Sequence, residues 1–384
     1  MRDVIRAGPG RGLLVALIGV PMTSLLAPVR AWHRPLTACA VLMFGLAAVA
    51  AVGTVLDERT LLGESVWVKP LKFGVAFGLY AGTLAWLLTK LTRGRRLGCR
   101  LGTVFALAAT VEVGAITAQA ARGTFSHFNA DQADPVTLAL VPLLTFGVMV
   151  IVIAQLVLAA VVLFQRTGGT ALNRAIRHGL ALATFGMVVP VFWMVTEIHP
   201  RTVTDANGHS VQMYQGHGIG DPDGHGMPLT NWSVTGGDFR VPHFFALHGI
   251  QVLLLIAAVL AALAAERVWL RDEEVRARLV GSAALGYTGL VAVVTWQAWR
   301  GQPLIQPDTA TLLALAAVLL LTAGTTVRVI ATAQRATAQR ATAAGAAAEV
   351  SPAERTPAEP EPATAEPATA RPAGIPEPSW PVAR

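Results

Sequence analysis

Apolar runs about as long as a bilayer is thick recur eight times along the chain, at roughly 36–56, 67–91, 98–121, 136–164, 174–196, 241–265, 277–300 and 308–330. A helix rising 1.5 Å per residue needs about 20 such residues to cross a 30 Å hydrocarbon core. In lipid, each backbone N–H and C=O must find a partner inside the structure, so runs of this length read as helices. The fold expected is all-α, a polytopic transmembrane helix bundle with eight spans. Composition agrees, because charged residues make up only 14% of the chain, against about 25% in soluble domains.

Loop charge then orients the spans. Arg2, Arg6, Arg11, Arg30 and Arg34 precede the first run, and Lys90, Arg93, Arg95, Arg96 and Arg100 follow the second. Arg166, Arg174 and Arg177 follow the fourth, Arg267, Arg271, Arg276 and Arg278 the sixth, and Arg328, Arg335 and Arg340 the eighth. The intervening loops carry acids instead: Asp57, Glu58 and Glu64, then Asp131 and Asp134, then Asp205, Asp221, Asp223 and Asp238. The positive-inside rule puts the arginine loops and both termini in the cytoplasm. It also accounts for the net charge of +7 without a nucleic-acid partner. The partner expected is the bilayer, in the cell's inner (plasma) membrane, with a small-molecule ligand as a further partner.

Three regions follow. Residues 1–35 form a cytoplasmic or interfacial segment, in which the short apolar stretch 13–29 reads as interfacial or re-entrant. Residues 36–330 form the transmembrane domain, with a His/Gly-rich outer loop at 197–240. Residues 331–384 form an Ala/Pro/Glu-rich cytoplasmic tail expected to be disordered, because it has too little apolar surface to bury. Its opening repeats, Ala-Thr-Ala-Gln-Arg twice, are able to prolong the last helix. Small residues such as Gly74, Gly78, Gly281, Gly286 and Gly289 let helices approach closely. No Cys-x-x-Cys motif accompanies Cys39 and Cys99, which leaves no thiolate zinc site or covalent haem site.

Ionisable groups inside a membrane are costly and mark function by default. Here they gather towards the outer ends of the helices. Lys69 and Lys72 share a helix face at the start of the second span, with Lys72 roughly 8 Å below the boundary. Glu112 lies about 15 Å from the outer end of the third span. An isolated carboxylate at that depth needs a partner, and Lys72 is the one expected. Gln119 and Arg122 follow towards the outside, then His127 in the next loop. Glu197 and His199 close the fifth span, His243, His248 and Gln251 open the sixth, and Gln297 ends the seventh. His243 and His248 stand about 140° apart around their helix, so a shared ligand requires a third group from elsewhere. The outer loop adds His209, Met213, His217, Asp221, Asp223 and His225. Its imidazole and thioether groups suit copper, and its paired aspartates suit calcium.

The patterns Trp67-x-Lys69-Pro70-x-Lys72-Phe73, Ser126-His127-Phe128-Asn129 and Pro242-His243-Phe244-Phe245-x-Leu247-His248 resemble those of a family of multi-pass bacterial integral membrane proteins. The resemblance covers the spans and outer loops and implies no activity, cofactor or substrate. Two function classes remain open. One is a membrane redox protein in which His127, His199, His243 and His248 ligate haem b or copper. The other is a transporter or sensor for a small polar or anionic ligand. In that reading Lys69, Lys72, Glu112, Gln119, Arg122, Glu197, Gln251 and Gln297 line a polar pocket and Glu112 couples a proton.

Overall fold

The structure is a computed structural model that describes residues 28–196, 199–215, 217–220 and 226–350. Segment 13–27, Glu197, Asp221, Asp223, His225 and the tail from 351 therefore lie outside the described residues. Eight long helices follow in order: α1 Arg34–Leu56, α2 Val68–Leu87, α3 Arg95–Ala121, α4 Pro135–Leu163, α5 Thr170–Thr196, α6 Arg240–Leu263, α7 Glu273–Trp299 and α8 Thr309–Val350. Among the described residues, all of these except α5 are long and apolar enough to cross a membrane. The exception, α5, carries no charged residue from Gly179 to Thr196. The all-α polytopic bundle is thus observed, and the chain is a multi-pass membrane protein. Bulky apolar side chains such as Val41, Leu107, Phe146 and Leu320 stand exposed on the helices, as lipid contact requires.

Two compact units divide the chain, Met1–Thr337 and Ala338–Arg384. The first holds the bundle, whose core has two parts. One joins Leu36, Met43, Tyr80, Phe105, Ile151 and Leu180 from α1 to α5. The other joins Leu182, Leu253, Val280 and Val291 from α5 to α7. α5 and α6 pack backbone to backbone: a Cβ on Gly186 would lie 2.8 Å from Leu247 N. Within the second unit, residues 338–350 are helical, and α8 as a whole is continuous from Thr309. The segment expected to be disordered from 331 is therefore helical through Val350, because its Ala, Gln and Arg residues favour helix.

Cross-loop hydrogen bonds show that successive helices reverse direction. At one end, Thr92 N and Arg93 N donate to Gln165 Oε1, and Ala171 N donates to Glu273. At the other end, Arg59 donates to Ala121 O and Asn207 to Arg122 O. The acid-bearing loops share this second end, and they carry short antiparallel strand pairs. β1 Thr60–Leu61 pairs with β2 Glu64–Ser65, β3 His199–Thr204 with β4 Ser210–Gln215, and β5 Gly218–Ile219 with β6 Gly237–Asp238. The β3–β4 turn is held by Asp205, whose carboxylate accepts from Asn207 N at 2.8 Å and His209 N at 2.9 Å, with Gly208 left-handed at φ +83°. The hairpin docks on the α3–α4 loop, where Ala130 N donates to Gln212 O and Tyr214 N to Phe128 O.

Candidate functional site

The site is built where two helices begin. The first turn of α2 is set by Trp67, whose Nε1 donates to Asp57 Oδ2 at 2.8 Å and whose ring fills the space beside Gly53 of α1. That anchor presents Lys69, Pro70 and Lys72. The turn contains no acid. Two cations at the positive end of a helix dipole oppose it, which disfavours the fold unless function requires them. Lys72 Nζ donates to Thr230 O at 2.7 Å. Lys69 makes no hydrogen bond or ion pair among the described residues, and its Nζ lies 6.0 Å from the centre of the Phe73 ring.

α6 begins beside this turn with Arg240, again without an acid in its first turn. Asp238, 2% exposed, precedes it and accepts from Arg240 Nε at 3.0 Å and Ser233 N at 2.9 Å. The pairing of β5 with β6 carries His217 to the same place, where its backbone oxygen accepts from Phe239 N at 2.9 Å. His217 Nδ1 is buried without a hydrogen bond, 4.0 Å from Asp238 Oδ1. Burial, reinforced by the Arg240 guanidinium, pushes its imidazole down to about 3, so His217 is neutral.

Behind these groups, His127 reaches from the α3–α4 loop into the bundle and lies 3.0 Å from Glu112 Oε1. Glu112 is 1% exposed, and its Oε2 has no hydrogen-bond partner among the described residues. α4 makes room for that oxygen with Gly147, where a Cβ would lie 2.7 Å away. Burial holds the His127 imidazole far below its usual value, hence neutral. The pair then has no net charge when Glu112 holds a proton and one negative charge when it releases it. Phe128, next in the chain, is left-handed at φ +63°, a conformation rare for a bulky side chain and often tied to function.

Two adjoining cavities share these walls. A cavity of about 280 Å³ is lined by Lys69, Lys72, Arg201 and Arg240, with Glu64 as the one carboxylate among the described residues, and by His127, His217 and His243. A larger chamber of about 760 Å³ is lined mostly by apolar groups, including Phe77, Phe105, Leu144 and Val152, with His248 in its wall. Phe73, His127, Phe128, Tyr214, His243 and Phe244 border both. His243 Nδ1 donates to Gly186 O at 2.6 Å, which fixes the orientation of the ring.

Several expectations from sequence need correction. The Lys72–Glu112 pair does not form: Lys72 turns to Thr230 O and Glu112 to His127, because the loop imidazole reaches the carboxyl at its own depth. Gln119 and Arg122 form a clamp rather than a pocket wall. Gln119 Nε2 donates to Thr137 Oγ1 at 2.8 Å, and Arg122 Nη1 donates to Gln119 Oε1 at 2.6 Å while Nη2 meets Asp134 at 2.8 Å. Gln251 donates to Thr83 at 3.1 Å and Gln297 to Pro303 O at 2.8 Å, and neither borders a cavity above. His199 sits exposed on β3 and lines neither cavity, unlike His127, His243 and His248. Among the described residues of the copper set, His209 turns to Asp205 and Met213 is buried in the hairpin, and no three described His, Cys, Asp or Glu side chains gather as metal ligands would. Glu64, Arg201, His217 and Arg240 join the cavity without having been singled out for it. For Arg201 the pair Asn207-Gly208 was the available signal, since Asn-Gly marks the tight turn of the hairpin that carries it.

Compared with models of protein families, with curated proteins and with solved structures, the chain matches none.

Proposed function

We propose that this protein is a transporter or sensor for an organic anion, seated in the plasma membrane with its acid-bearing loops outward. Lys69 carries the reading. It is a cation at the positive end of α2, lining a cavity, with no carboxylate bonded to it among the described residues and Glu112 as a neighbouring carboxyl. The start of α6 adds a second positive helix end. Among the described residues, four cations against one carboxylate line the cavity, and its half-buried His217 is neutral. An anion supplies the missing countercharge. Glu112 is the proposed coupled proton site: its negative form opposes an anion near Lys69, so affinity falls as Glu112 deprotonates. The test is equilibrium binding of a panel of carboxylates and inorganic phosphate to the purified protein across pH. Lys69→Met is expected to abolish binding and Glu112→Gln to remove its pH dependence. Equal binding by all three proteins would overturn the proposal.

A second reading, a haem b redox protein, is favoured by His243. A histidine that donates Nδ1–H to a backbone carbonyl has the tautomer and orientation of an axial ligand. Its test is an optical spectrum of protein purified from haem-supplied cells. A Soret band lost in His243→Ala supports it, and a colourless wild-type protein removes it.

A further inference from the structure

We infer that the anion is the headgroup of an amphiphile, whose hydrocarbon chain occupies the larger apolar chamber. This deepens the anion-binding reading and rests on it. A small anion occupies part of the 280 Å³ cavity and leaves the adjoining 760 Å³ chamber unused. Together the two have the size and the polar-to-apolar gradient of a site for a medium-sized ligand. The two cavities adjoin, since Phe73, His127, Phe128 and His243 border both. The chamber continues from the headgroup cavity down α2, α3 and α4 past Phe77, Phe105, Leu144 and Val148. A hydrocarbon chain running that way stays at bilayer depth while its charged end meets Lys69 and Lys72. Each methylene buried strengthens binding about fourfold.

The experiment uses the full chain in phosphatidylcholine nanodiscs with dodecanoic acid bearing a diazirine at its ω end. Photolysis is expected to label chamber residues on α2 to α4. Dodecanoate should compete at least tenfold better than butanoate and better than dodecanol. Lys69→Met should lower chamber labelling about tenfold. Val148→Trp, which fills the chamber, should lose dodecanoate competition and keep that of butanoate. Stronger competition by lysophosphatidate than by dodecanoate supports the inference and identifies a membrane-lipid source; the reverse supports a free fatty acid. If butanoate competes as well as dodecanoate, the anion site stands and the amphiphile inference falls. If dodecanol competes as well as dodecanoate and Lys69→Met is without effect, the anion reading falls too. Labels confined to lipid-facing residues such as Phe146 overturn the inference directly.

Discussion

His127 Nε2 lies 3.0 Å from Glu112 Oε1, so a loop imidazole closes over a carboxyl placed mid-helix in α3. Gly147 on α4 leaves space for the other carboxyl oxygen. In Gly147→Ala the new Cβ would displace that oxygen and strain the bond to His127. The expected cost is about 1–3 kcal/mol. In a Glu112→Ala background the clash is absent, so the two substitutions should not add, with a coupling of about 0.5–3 kcal/mol. A double-mutant cycle of unfolding measurements in detergent checks this, and additivity would contradict the packing described.

A second expectation concerns acid. In the unfolded chain a histidine takes a proton near 6.5. Folded His217 does so only near 3, because burial opposes its charge. Between those values the unfolded state binds a proton that the folded state does not. Stability therefore falls as pH drops from 6.5 towards 3 and is fully present above 6.5. His127 acts in the same direction. Unfolding midpoints measured from pH 7 to pH 4 should show this slope, reduced in His217→Asn. An unchanged slope would mean that His217 is solvated.

The clamp of Gln119 should behave differently from the site. Gln119→Ala leaves Thr137 and Arg122 short of partners around a side chain that is fully buried. A loss of about 2–3 kcal/mol is expected. Ligand affinity, measured per folded molecule, should stay within about twofold, because neither cavity is bordered by Gln119. A selective loss of binding at unchanged stability would instead place Gln119 in the site.

How far the sequence reaches is clear from particular residues. Helix positions were legible because lipid imposes a length and the arginine loops impose a direction, and Lys69, Lys72, His127 and His243 stood out as charge or imidazole near apolar runs. Their partners were not legible. Glu112 faces His127 rather than Lys72 because loop geometry decides which donor arrives at that depth. His217, Arg201 and Glu64 enter through short strand pairings that leave only weak patterns in the chain. Gln119, Gln251 and Gln297 looked like pocket groups because depth alone does not separate a ligand contact from a helix-to-loop hydrogen bond.

Lys69 offers the most direct test of whether an anion belongs in this cavity. Its charge opposes the helix dipole and neighbours Lys72 and Arg240 as well as the Glu112 carboxyl. Replacing it should therefore relieve the empty protein while removing the ligand's countercharge. The measurement is the thermal unfolding midpoint of wild type and Lys69→Met, each with and without saturating dodecanoate. Wild type should rise with dodecanoate, whereas Lys69→Met should begin higher and not respond. A lower starting midpoint for Lys69→Met, with the rise on dodecanoate intact, would show that Lys69 is a structural cation and that the cavity is not an anion site.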